Sequence, residues 1–265
     1  MTFSPMCARP WDRSGFVIVR KSAAEIETMK EAGRVSARAL RFVGEAVAPG
    51  ITTHELDELA ESVIREAGGV PAFKGYHGFP KTLCTSVGCQ VVHGIPSSLV
   101  KLLDGQILSV DVGAIVDGYY GDNARTFAVG AIPDEAQRLL DATEASLVAG
   151  IAASVAGNHL FDIGAAVQGV AEAAGFSIVR EYVGHGIGRA MHEDPNVPNY
   201  GQPGKGPLLS NGMVLAIEPM VNAGNAAVES LPDGWTVVTV DGSLSAHFEH
   251  TVAITENGPL ILTAE

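Results

Sequence analysis

Displaced by 107 residues, the sequence superimposes on itself. Gly50 then meets Gly157, Leu56 meets Ile163, Val63 meets Val170, Ala67 meets Ala174 and Gly68 meets Gly175. Five matches in one register, with the same hydrophobic periodicity between them, point to an internal duplication. Each half reads as two helices, an Ala-Gly stop and then strands. A duplicated unit of this kind restricts the chain to a pseudo-two-fold α/β (α+β) arrangement: a curved sheet backed by helices, with a site at the seam.

Local signals fill in the halves. Ser22-Ala-Ala-Glu25 has capping-box spacing ahead of an amphipathic run through Ile26, Met29, Ala32 and Val35. A second helix spans about 53–66 and stops at Gly68-Gly69. Runs rich in Val, Ile, Tyr and Phe, bounded by Gly, Pro or Asp, predict strands over 81–87, 107–116 and 119–129. The second half gives strands over 177–182, 213–221, 236–240 and 247–255. Residues 1–20, interrupted by Pro5, Pro10 and Gly15, read as a loose N-terminal arm. Residues 21–265 read as one domain with halves of about 21–130 and 131–265.

Asp117-Gly118 between two apolar runs is a two-residue hairpin signal. With that turn, residue i pairs with residue 235 − i, so Asp122 lies opposite Gly113, two residues from Asp111. Side chains two apart on a strand share a face. Asp111 and Asp122 thus become diagonal neighbours, and two buried carboxylates that close repel unless a cation lies between them. Asp117 is fully explained by the turn. Glu218 in MVLAIEPMV and Glu249 in HFEHTVAIT are further acids inside apolar runs, and His185 sits in the Gly-rich turn GHGIG. Taken singly, each also fits a polar strand, turn or solvated residue. Together, Asp111, Asp122, His185, Glu218 and Glu249 carry about four negative charges, enough to balance two divalent cations. The oxygen-rich set suits Mn, Fe or Co ions or catalytic Zn, and paired ions suit hydrolysis.

Composition narrows the partners. The formal net charge of −13 disfavours phosphate and nucleic-acid binding, which need clustered Lys and Arg. Cys7, Cys84 and Cys89 have no regular spacing, which argues for a reducing, cytoplasmic setting rather than a disulfide framework. The N-terminus lacks a secretory pattern, and the most apolar stretch, 147–157, is far short of a membrane span.

The segments YHGFPKTLCTSV, VVHGIPSS, VDVGAIVDGYYGDNARTF, GHGIGRAMHEDPNVPNYG, VLAIEPM and WTVVTVDGSLSAHFEHTV follow in that order. From about residue 22 to the C-terminus they resemble the type I methionine aminopeptidases. The resemblance implies the pita-bread fold and makes the five residues above ligands of two divalent ions, Co, Mn, Fe or Zn, with Asp122 and Glu249 bridging. It implies that His93 contacts substrate near the scissile amide nitrogen, that His192 hydrogen-bonds the substrate carbonyl and that Glu218 shuttles a proton. It places the methionine side chain against Tyr76, Phe79, Cys84, Met191 and Trp235, a sulfur- and aromatic-lined cavity of the kind a thioether prefers. Composition alone would make Phe79 and Met191 core residues. The substrates implied are nascent polypeptide N-termini with a small second residue, met at the ribosome by a monomer. Two positions depart from the family pattern: Gly88 stands where Asn is usual and His247 where Gln is usual. The Asn is associated in some members with an auxiliary monovalent cation, a site not expected here. By strand parity His247 shares a face with Glu249. The rival readings are another pita-bread peptidase acting on X-Pro peptides, and a non-enzymatic binding scaffold.

Overall fold

The structure, a computed structural model, describes residues 17–264. Most of the expected N-terminal arm, residues 1–16, lies outside the described residues. Four α-helices are described: α1 (Ala23–Ala46), α2 (Thr53–Glu66), α3 (Asp134–Ala153) and α4 (Leu160–Ala173). The first-half strands are β1 (Val70–Pro71), β2 (Leu83–Val87), β3 (Gln90–Val92), β4 (Ile107–Val116) and β5 (Tyr119–Ala128). The second half contributes β6 (Ser177–Ile178), β7 (Gly184–Gly186), β8 (Glu193–Val197), β9 (Val214–Ile217) and β10 (Met220–Asn222). It continues with β11 (Val228–Ser230), β12 (Val237–Thr239), β13 (Ser245–His247), β14 (His250–Thr255) and β15 (Gly258–Ile261).

Local chemistry sets the helix starts. Ser22 Oγ accepts from the Glu25 amide while the Glu25 carboxylate accepts from the Ser22 amide at 2.8 Å, closing the expected capping box on α1. Thr52 and Glu55 repeat the device on α2. The first residues of α2 and α4, Thr53 and Leu160, are 107 positions apart, as are their last, Glu66 and Ala173. α1 lies across β4 and β5 and packs on α2; α3 and α4 pack on each other and on the second-half strands. One apolar core fills the first half around Leu56, Ile64, Leu83, Leu108 and Val110, and another fills the second around Leu139, Ile163, Val167, Leu215 and Ile217.

Among the described residues all strand pairing is antiparallel, in four hydrogen-bonded sheets. The β4–β5 hairpin has the expected register, with Gly113 opposite Asp122. Its turn residues Asp117 and Gly118 have φ of 49° and 77°, the left-handed pair that a tight two-residue turn requires. Gly88, at the position where Asn is usual, turns β2 into β3 at φ 63°; Gly and Asn are the residues that tolerate that conformation, so the departure leaves the turn intact.

The second half corrects four expectations. The strand expected over 213–221 breaks at Glu218-Pro219 into β9 and β10, and that over 247–255 breaks at Phe248-Glu249 into β13 and β14. β9 pairs with β14 in one sheet and β10 with β13 in another, so both segments change sheet at the same level, where the Phe248 amide donates to the Pro219 carbonyl. Proline has no N–H to extend a ladder, which favours the break there. The run 177–182 is extended only at 177–178, and His185 lies on β7 rather than in a turn, between β8 and β9. Glycine is required beside it: a Cβ on Gly184 would sit 2.3 Å from the Ala216 carbonyl oxygen. Among the described residues no helix is long and apolar enough to cross a membrane.

Candidate metal centre

Glu218 and Glu249 at the sheet crossing and the two strand acids of the β4–β5 hairpin, Asp111 and Asp122, turn inward to one place. Asp122, His185 and Glu249, all buried, offer ligand atoms within 4.8 Å of one another. Glu218 joins them with Oε1 3.6 Å from His185 Nε2, and Asp122 Oδ2 lies 3.7 Å from the same nitrogen. Asp111 enters from β4, diagonally across the hairpin from Asp122. The backbone of Asp122 is pinned by reciprocal hydrogen bonds with the Thr251 hydroxyl at 3.0 and 2.8 Å, and the Glu249 amide donates to the Ala124 carbonyl at 2.9 Å. The hairpin and the sheet crossing are thus tied together directly behind the carboxylates.

The electrostatics are those of a cation site. Asp111 Oδ1, Asp122 Oδ1 and Glu249 Oε1 are buried without a hydrogen-bond partner among the described residues. Burial pushes the carboxyls of Asp111 and Glu218 up to about 7. Burial, and then the repulsion of their acidic neighbours, pushes Asp122 and Glu249 well above the usual carboxylate range. Such a cluster is unstable as free anions and becomes favourable when cations supply the missing charge. Four carboxylates, one imidazole and no thiolate fit hard or borderline divalent ions. His185 is oriented as a ligand, since its Nδ1–H donates to the Gly186 carbonyl at 2.8 Å and leaves the Nε2 lone pair facing the acids.

These shifts set how metal stabilises the fold. In metal-free protein Asp111 and Glu218 hold their protons up to about pH 7, whereas in the unfolded chain they lose them near about 4. Their folded values are raised, so their contribution to stability is full below about pH 4 and is lost as pH rises to about 7. A bound divalent ion requires the deprotonated forms. The rise in unfolding temperature on adding Mn is therefore expected to grow from about pH 5 to about pH 7. Calorimetric scans of stripped and loaded protein check this; a pH-independent increment would contradict it.

The other expected residues surround the acids. His192, half-buried, lies with its ring centroid 4.3 Å from that of His185, the rings tilted by 55°, and with its Nδ1 2.7 Å from the Tyr76 hydroxyl. His93 adopts φ 61°, a strained backbone for a residue with a side chain, and its ring meets Tyr182 at 5.8 Å and Trp235 at 6.5 Å. Burial lowers the His93 imidazole to about 4 and drives that of His192 far down, so both are neutral at working pH. Phe79, Cys84 and Met191 are buried in one apolar cluster, against which Tyr76 and Trp235 pack. Phe79 and Trp235 meet edge-on at 5.1 Å. Cys84 is the cross-strand partner of Asp111, which sets this cluster directly beside the acids. His247, buried, points Nε2 to within 3.6 Å of Glu218 Oε2 and has no hydrogen bond at that nitrogen.

Three contributors carry no signal in the sequence. Phe73 joins the apolar cluster, and a Cβ on Gly113 would press to 2.8 Å from its ring and 3.4 Å from Met191 Cε. Lys21 and Glu193 form a partly buried ion pair at 2.6 Å, and Glu193 also accepts from the amides of Arg189 and Ala190, bracing the turn that carries Met191 and His192. No local pattern marks a pair separated by 172 positions.

Comparison with known proteins identifies the family to which the chain is similar. The metallopeptidase family M24 model matches residues 27–256. Methionine aminopeptidase of Clostridium acetobutylicum is 53% identical over 247 residues, 93% of this chain and 99% of that protein. Methionine aminopeptidase 1 of Mycobacterium tuberculosis is 52% identical over 253 residues, 93% of this chain and 95% of that protein. The crystal structure of methionine aminopeptidase from Thermotoga maritima superimposes with a TM-score of 0.93 at 46% identity, covering 94% of this chain and all of that one. Prolidase from Pyrococcus furiosus shares the fold alone, with a TM-score of 0.72, 21% identity and 66% of its length covered. The chain therefore belongs to metallopeptidase family M24, among its methionine aminopeptidases.

Proposed function

We propose that this chain removes the initiator methionine from nascent polypeptides in the cytoplasm, preferring a small second residue, with two divalent ions held by Asp111, Asp122, His185, Glu218 and Glu249. The observation that carries the reading is the cross-strand pairing of Cys84 with Asp111: the apolar, sulfur-lined cluster and the acidic cluster share a wall. A methionine side chain seated among Tyr76, Phe79, Cys84, Met191 and Trp235 places its own peptide bond at the carboxylates. The residues from 21 onward are read as one catalytic domain of two repeated halves, supported by the matched placement of α2 and α4.

Divalent ions bound here supply Lewis acidity, making a water nucleophilic near neutral pH and polarising the scissile carbonyl. The remaining work belongs to side chains. Glu218 accepts the proton of the attacking water and returns it to the departing amide nitrogen. His192 donates a hydrogen bond to the carbonyl oxygen as negative charge grows there. His93 sits beside the amide nitrogen, fixed by its strained backbone and by Tyr182 and Trp235.

Because prolidases share the fold, the discriminating assay sets Met-Ala-Ser against Ala-Pro dipeptide in one Mn-loaded preparation. Release of methionine without cleavage of Ala-Pro is the expected result; the reverse preference would overturn the substrate assignment.

A further inference from the structure

Two neighbouring histidines share this centre and must do opposite things. A ligand imidazole needs a bare lone pair towards the acids, whereas a carbonyl-binding imidazole needs an N–H towards the substrate. Neutral imidazole has one of each, and the partner of the far nitrogen decides which faces inward. For His185 that partner is the Gly186 carbonyl, which only accepts, so Nδ1 carries the proton and Nε2 is bare. For His192 the partner is the Tyr76 hydroxyl, 2.7 Å from Nδ1. A phenol is a stronger acid than a neutral imidazole N–H, and the imidazole nitrogen is the better acceptor, so the hydroxyl donates and Nδ1 is bare. The proton of His192 is then on Nε2. No other hydrogen bond to the His192 ring is found among the described residues, so Nε2 is available to a substrate.

We propose that Tyr76, besides lining the methionine cavity, is a positioning residue that fixes the Nε2–H tautomer of His192. Its hydroxyl converts a histidine otherwise free to present a repelling lone pair into an obligate donor to the substrate carbonyl. The turn beneath is held separately by the Lys21–Glu193 ion pair, so backbone and ring orientation have distinct anchors 172 and 116 positions away in the sequence. The proposal rests on the assignment of His192 to the carbonyl.

Tyr76→Phe keeps the aromatic wall and removes only the hydroxyl. With Met-Ala-Ser its kcat is expected to fall by about 10–100-fold, the range typical of losing an outer partner, with KM nearly unchanged. A damaged methionine cavity would instead raise KM. Two-bond 1H–15N correlation spectra of Zn-loaded, 15N-histidine-labelled protein, with the His192 signals assigned by their loss in His192→Asn, read the tautomer directly. Wild type is expected to show protonated Nε2, and Tyr76→Phe a mixture. Protonated Nδ1 in wild type, an unchanged tautomer in Tyr76→Phe, or unchanged kcat despite a changed tautomer would each overturn the proposal. Wild-type protein that failed to cleave Met-Ala-Ser would overturn the substrate reading, while the tautomer spectra would still decide this assignment.

Discussion

Asp122→Asn is expected to lower kcat/KM for Met-Ala-Ser by well over the roughly 10–100-fold that loss of an outer partner of a metal site costs. Asp122 contacts both sides of the cluster: its carboxylate lies near His185 and Glu249, and across the hairpin from Asp111. Asparagine preserves the shape but withdraws one of the four negative charges that hold the ions. The fold is expected to survive, because the Asp122 backbone is locked to Thr251 independently of the side chain. Metal-free Asp122→Asn is moreover expected to be more stable than metal-free wild type near neutral pH, since the fold no longer has to hold at Asp122 a proton that the unfolded chain gives up. A gain of about 1 kcal/mol would raise the unfolding temperature by roughly 2–4 °C. Lost activity together with a more stable stripped protein separates the loss of ion binding from simple unfolding. Wild-type kcat/KM in this variant would remove Asp122 from the centre.

Glu218→Gln probes the proton instead of the ions. Glutamine keeps the volume and an oxygen donor on the His185 side but cannot accept a proton. Steady-state assay with Met-Ala-Ser is expected to show kcat reduced by about 10²–10⁴-fold, the usual contribution of a general acid–base group, with KM little affected. Isothermal titration should show ion binding weakened less than in Asp122→Asn, because Glu218 is more exposed than Asp122 and outside the tightest ligand trio. A kcat within about tenfold of wild type would assign the proton to another group; His247, 3.6 Å from Glu218 Oε2, is the nearest imidazole on that side.

Much of this is legible in the sequence where the signal is local. Ser22 and Glu25 announce a helix start because both partners of a capping box lie within one turn. Asp117-Gly118 sets the hairpin register because only left-handed residues close so short a turn, and the register alone puts Asp111 and Asp122 on one face. The sheet changes at Glu218-Pro219 and Phe248-Glu249 are not legible: an apolar run broken for one or two residues keeps the composition of a single strand. His185 reads as a turn residue because a three-residue strand flanked by glycines is too short to show alternation. The Lys21–Glu193 and Tyr76–His192 contacts join distant segments, and only the folded chain brings them together. The ligand set itself emerges as a group of acids in apolar runs, each of which singly also fits an ordinary strand residue.

The measurement that bears most directly on the whole is hydrolysis of Met-Ala-Ser and Met-Leu-Ser by chelator-stripped protein, before and after stepwise addition of Mn or Co. Methionine release from Met-Ala-Ser alone, absent in stripped protein and saturating as the added ion fills the acidic cluster, is the predicted result. Equal cleavage of both peptides, or cleavage that survives complete removal of metal, would contradict it.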